Sequence, residues 1–223
     1  ALDFDNKVDA LRTLDLLDCN KCMVKVGLQL FVSEGWELIS AIKQKNFDIF
    51  LDLKLHDIPN TVSKTIEKIA DFGVDMTTIH LTGGENMIDA ACKASKDIKV
   101  LGVSVLTSLS NDDILKIASI TLEEKFKNLI ALANNSDLDG IVCSPQELTT
   151  LKDFQKLKVV PGIRNKPSND DQVRVLSASD AYNSGADFIV VGRPITQAFN
   201  PTEALKDFLS VSYTHLTLPT NGT

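Results

Sequence analysis

Within the stretch FLDLKLHDIPNTV, residues 50–62, four ionisable side chains fall inside six positions: Asp52, Lys54, His56 and Asp57. An ammonium set between carboxylates stays charged and oriented, and can stabilise or protonate a centre where negative charge develops. Side chains alternate along a strand, so Ile49, Leu51, Leu53 and Leu55 share the face that meets outer helices, and Asp52 and Lys54 share the other. The same parity turns Asp3 inward beside Leu2, and Lys25 inward between Val24 and Val26. Four charges from three neighbouring strands therefore converge. As a purely structural ion-pair network they would have to neutralise one another, and apolar residues would often serve stability as well, so chemistry is the better explanation. His56 has the same parity but falls where strand becomes loop, where a hydrogen-bonded histidine is the ordinary state. Asp57 lies too far along to share the pocket by strand geometry alone; it could reach a neighbouring subunit's site instead.

A second group of residues suits an anion. The segments VVPGIRNKP and FIVVGRPIT put Arg164 and Arg193 shortly after Gly162 and Gly192. Glycine lets backbone N–H groups approach phosphate oxygens, and guanidinium groups pair with them. Gln172 adds an amide donor nearby, and residues 165–171, rich in Pro, Asn and Asp, suit a lid. Thr107 and Ser110, in VLTSLS, are candidates for contact with a ring or carboxylate, although hydroxyls at such positions more often cap helices. The implied substrate carries phosphate at one end and its reacting group over Asp52 and Lys54.

The elements that must hold these residues alternate. Strand-like runs occur at ALDF, MVKVG, FDIFLDL, DMTTIHL, VLGVSVL, LDGIVCS, KLKVVPG and DFIVVGR, with helices expected over 6–17, 33–45, 60–72, 84–95, 111–135, 145–155, 169–184 and 201–210. Eight such pairs predict an α/β (β/α)₈ TIM barrel forming one domain over residues 1–210. In a barrel the carboxyl-terminal strand ends form the active-site mouth, and the loops after strands 7 and 8 often hold phosphate. The first strand reads as short by one or two residues at Ala1, and residues 211–223 read as a non-native tail without a role for Tyr213 or His215.

Composition narrows the function classes. The chain has 223 residues and a formal net charge of −7 with both signs interspersed, which argues against a nucleic-acid partner. No apolar run approaches a membrane span and no leader is legible, so a cytoplasmic protein is expected. Cys19 and Cys22 form a lone C-x-x-C without a second half, and the three histidines match no metal spacing, so neither a redox pair nor a metal is expected.

FLDLKLHDIPNTV resembles the D-x-K-x-x-D signature and following I-P-x-T of the orotidine 5′-phosphate decarboxylase family, in its bacterial form. ALDF, VKVG, LTS, PGIR, DQVR and VVGRPI are similar to its other blocks, in family order over about residues 1–210. The resemblance implies decarboxylation of orotidine 5′-monophosphate to UMP and CO₂ in pyrimidine biosynthesis, without a cofactor. It also implies that Lys54 protonates C6 of the pyrimidine within an array of Lys25, Asp52, Lys54 and Asp57, the last supplied across a homodimer interface. Asp3 and Lys25 would then hold the ribose; Thr107 and Ser110 the pyrimidine; Gln172, Gly192 and Arg193 the phosphate, with Arg164 nearby. Ile58, Thr61 and Pro161 would also touch the substrate. A magnesium-dependent barrel enzyme acting on a sugar phosphate shares the D-x-K-x-x-D element, but Lys25 at an inward position disfavours a bound cation there.

Overall fold

The computed structural model describes residues 1–164 and 176–216, with side chains described up to Ser210. Helix α1 is Lys7–Leu14; strand β1 Val24–Gly27; α2 Leu28–Gln44; β2 Ile49–Leu55; α3 Pro59–Asp71; β3 Met76–His80; α4 Glu85–Ala94. There follow β4 Lys99–Val103, α5 Asn111–Ala118, α6 Leu122–Asn134, β5 Gly140–Val142, β6 Leu157–Val160, α7 Ala178–Asn183, β7 Phe188–Ile189, α8 Arg193–Thr196 and α9 Pro201–Leu216. Two 3₁₀ turns, Leu81–Gly83 and Pro145–Thr150, complete the order.

Among the described residues the sheet has seven parallel strands in chain order, β1 to β7, each next to its sequence neighbour. Eight strands were expected; the first, ALDF, is reduced to a single parallel bridge between Leu2 and Val26. The Leu2 N–H donates to the Lys25 carbonyl at 2.9 Å, and the Ala1 amino group donates to the Val191 carbonyl at 2.6 Å. Residues 1 and 2 thus touch both β1 and the chain just beyond β7, too briefly to form a ladder.

Strand alternation divides the core in two. Val24, Val26, Ile49, Leu51, Ile79, Val100 and Ile141 belong to the large apolar cluster shared with the helices. Phe50, Met76, Leu101 and Val159 form a smaller cluster with Met23, Val142 and Val190, on the opposite strand face. Lys25 lies level with Phe50 in the β1–β2 register, so it belongs to this inner side.

Several helix boundaries differ from expectation. The helix expected over 111–135 is two: Ser119 takes a left-handed conformation (φ 56°), and Thr121 starts α6 with a reciprocal cap to Glu124. Residues 145–155 form only the 3₁₀ turn after Pro145. Gly27 caps α2, so that helix begins at Leu28 rather than 33, with a kink at Gly35 (φ 60°). The last helix continues through Leu216, six residues past its expected end at 210, because no proline or glycine interrupts it before Pro219. No described helix is long and apolar enough to cross a membrane.

Candidate active site

β2 does not stay regular to its end. Leu51 pairs with Thr77 and Leu55 with Ile79, so β2 spends four residues where β3 spends two. Lys54 sits inside this bulge with φ 51°, a left-handed conformation that costs a non-glycine residue about 1 kcal/mol. Thr78 holds it there: its Oγ1 accepts from the Lys54 backbone N–H at 2.9 Å and donates to Asp52 Oδ1 at 2.9 Å. One buried hydroxyl therefore fixes both the carboxylate and the backbone of the lysine. The even alternation expected through Leu55 fails here, and Leu53 borders the cavity as well as the outer core.

Asp52 Oδ2 is shared by two ammonium groups. Lys54 Nζ donates to it at 2.8 Å, and Lys25 Nζ lies 3.4 Å away. Asp52 is buried, with 8% of its surface exposed. Burial alone would raise its pKa, but Lys25, Lys54 and the hydrogen bonds from Lys54 and Thr78 together hold it below the ordinary carboxylate value. The carboxylate is thus ionised near neutrality, and the two ammonium groups beside it disfavour a free cation.

Asp3, Lys25, Asp52 and Lys54 all line one cavity of about 420 Å³, together with Gly27, Gln29 and His80. Lys25 and Asp52 reach the cavity by strand parity, Lys54 through the bulge, and Asp3 from the segment that follows the Leu2 bridge. A β-carbon added at Gly192 would stand 2.7 Å from Asp3 Oδ2, so the glycine lets the strand 7 loop lie against this carboxylate. Arg193 follows as the first residue of α8, half-buried, and Arg164 is buried with Nη1 donating to the Ile163 carbonyl at 3.0 Å. Gly162 takes φ 79°, as only glycine does readily, and Pro161 is half-buried at the end of β6. Gln172 and the proposed lid at 165–171 lie outside the described residues.

Other candidates stand apart from the cavity. Asp57 is exposed and accepts from the Ile58 N–H at 2.6 Å; Ile58 is 66% exposed, and Thr61 is exposed on α3. Thr107 is exposed in the loop before α5. Ser110 caps α5, its hydroxyl donating to Asp113 Oδ2 at 2.6 Å. Cys22 faces an apolar cavity of about 230 Å³ beneath Lys25, and burial pushes its thiol up to about 11, away from thiolate chemistry.

Sequence reasoning missed Thr78 and His80. The signal was present: in DMTTIHL the parity that turns Met76 inward also turns Thr78 and His80 inward.

The profile of the Orotidine 5'-phosphate decarboxylase / HUMPS family matches residues 1–208. The chain belongs to this family. It is 43% identical over 215 residues to the orotidine 5'-phosphate decarboxylase of Saccharophagus degradans, covering 92% of this chain and 90% of that one. The Staphylococcus aureus (strain bovine RF122 / ET3-1) protein of the same name is 45% identical over 214 residues, with 92% and 93% covered. Among solved structures, orotidine 5'-phosphate decarboxylase from Lactobacillus acidophilus is similar with a TM-score of 0.83 and 34% identity, over 94% of this chain and 96% of that one. The matched stretch includes Asp3, Lys25, Asp52 and Lys54, the four charged residues that line the cavity.

Proposed function

We propose that this chain converts orotidine 5′-monophosphate to UMP and CO₂ without a cofactor, Lys54 delivering the proton to C6. The observation that carries the chemistry is the single Asp52 oxygen shared by Lys25 and Lys54 at the wall of the cavity. Loss of CO₂ leaves an electron pair localised at a ring carbon, which an adjacent, pre-oriented ammonium stabilises and then protonates. Asp52 keeps that ammonium charged and aimed, and its own negative charge opposes the substrate carboxylate until CO₂ leaves.

Remote groups supply binding energy for this step. Asp3 and Lys25 are assigned to the ribose, Thr107 and Ser110 to the pyrimidine side, and Gly192 and Arg193, with Gln172 and Arg164, to the phosphate, while Pro161 also touches the substrate. The Ser110 hydroxyl and backbone N–H both donate to Asp113 Oδ2 in the α5 cap, at 2.6 and 2.9 Å, so contact with the ring requires this cap to rearrange. Ile58 and Thr61 border the neighbouring subunit's site in this reading, and Asp57 crosses a homodimer interface to complete the array; its exposure beside exposed Ile58 supports that placement. We infer further that residues 1–4 act as the first strand of a closed (β/α)₈ barrel, that residues 1–210 are one domain, that residues 211–223 are non-native in sequence, and that the enzyme works in the cytoplasm.

A decrease in ultraviolet absorbance with orotidine 5′-monophosphate, undiminished by excess chelator, is the expected result. Turnover of a sugar phosphate that requires magnesium would replace this reading with that of the magnesium-dependent barrel enzymes.

A further inference from the structure

His80 ends β3 and faces the cavity beside Lys54, half-buried. The His56 ring stands 5.4 Å from it, centre to centre, inclined by 42°. His56 is exposed and rests against the 3₁₀ turn: a β-carbon at Gly83 would lie 3.4 Å from His56 Cδ2 and 2.2 Å from the Met87 sulfur. The glycine thus leaves room for both the imidazole and the thioether. Two histidines, one open to solvent and one facing the cavity, stand in contact at the side of the ammonium.

The charged surroundings of His80 are asymmetric. From β2 come Lys54 and Asp52, and across the cavity lie Lys25 and Asp3. On its other side, β4 presents Val103 opposite His80, with Lys99 at the far end of the ladder. Exposed Glu85 opens α4 after the turn, and exposed Asp57 follows His56. Burial, His56 and Lys54 all hold His80 below the ordinary imidazole value, with Asp52 opposing them. At neutral pH its ring is therefore uncharged.

We propose that His80 is a positioning residue: as a neutral imidazole it leaves Lys54 the dominant cation at the reacting carbon, and its protonation, coupled to His56, sets the acid limb of turnover. An imidazolium on this wall would compete with Lys54 for Asp52. It would also attract the substrate carboxylate, a charge that departs with CO₂, and so stabilise the ground state more than the transition state. Below the limb, kcat falls by more than KM does, so kcat/KM falls with it. The inference rests on the assignment of Lys54 made above.

The test measures kcat and KM between about pH 5 and 9 for the unaltered enzyme, His56→Gln and His80→Gln. Removing His56 removes a like charge, so the acid limb moves to higher pH by about half a unit. Removing His80 removes the titrating group, so the limb moves to lower pH by about one unit. The substrate phosphate titrates near 6 but identically for each variant, so the displacement between profiles is the readout. A packing role would lower rates without moving the limbs in opposite directions. Proton NMR titration supplies a second readout: the histidine resonance of the unaltered enzyme that is lost in His80→Gln must titrate at the pH of the kcat/KM limb. Coincident limbs in all three proteins, or a His80 titration displaced from the limb, would overturn the proposal. Coincident limbs together with an inactive Lys54→Ala overturn the histidine role alone, whereas a Lys54→Ala protein that keeps its rate overturns the lysine assignment itself.

Discussion

Asp52 is the residue on which the site's electrostatics turn, because one of its oxygens pairs with two ammonium groups. Replacing it by Asn leaves Lys25 and Lys54 facing each other without a counter-charge. The expected loss of stability is about 2 kcal/mol, less than for a fully buried pair because Lys54 is 36% exposed and partly screened by water. Urea denaturation near neutral pH measures it. The pH dependence has a definite sign. Asp52 has a folded-state pKa below its ordinary value of 3.8, so on acidification the unfolded chain takes up the proton first. Its contribution is fully present above that value and is lost as pH falls through the lower folded one. The stability profile of Asp52→Asn is therefore flatter in that acid range than the profile of the unaltered chain. An equal slope in both proteins would show that the pair contributes nothing to folding. Asp3, Lys25, Asp52 and Lys54 were legible as one cluster in the sequence because strand parity is a local property. The hydrogen bonds of Thr78 were not, because they depend on how β2 and β3 are aligned, which no single segment encodes.

At the scale of elements, the bulge in β2 is what separates a row of alternating residues from a working site. It gives Lys54 a left-handed backbone and is fastened by the Thr78 hydroxyl. Thr78→Val keeps shape and burial but leaves the Asp52 oxygen and the Lys54 N–H each short of a partner. We expect about 1–2 kcal/mol of lost stability and a fall of at least tenfold in kcat, larger than any change in KM, since the ammonium loses its aim rather than its charge. Steady-state kinetics beside thermal unfolding check this; an unchanged kcat would mean that the bulge holds itself. The strand–helix order was readable because apolar periodicity survives in every segment. Boundaries were less so: the break between α5 and α6 depends on one left-handed serine, and α9 runs past its expected end because nothing stops it. The first strand illustrates a different limit, since its four residues carry the right pattern but make only one bridge.

For the whole molecule, the reading places Asp57 in a second subunit's site, consistent with its exposure and its absence from the cavity of its own chain. Asp57→Ala and Lys54→Ala proteins, each inactive alone, should regain activity when subunits are exchanged. Random pairing makes half the dimers mixed, each with one intact site, so about a quarter of full activity is expected. No recovery after exchange verified by mass would confine Asp57 to its own chain. The central claim, that the ammonium held by Asp52 creates the reaction, is tested most directly by single-turnover decarboxylation of bound orotidine 5′-monophosphate in Lys54→Ala, alongside UMP affinity. The account predicts a rate lowered by at least about a thousandfold with UMP binding weakened by less than about tenfold. A rate within a few-fold of the unaltered enzyme's, at full occupancy, would contradict it.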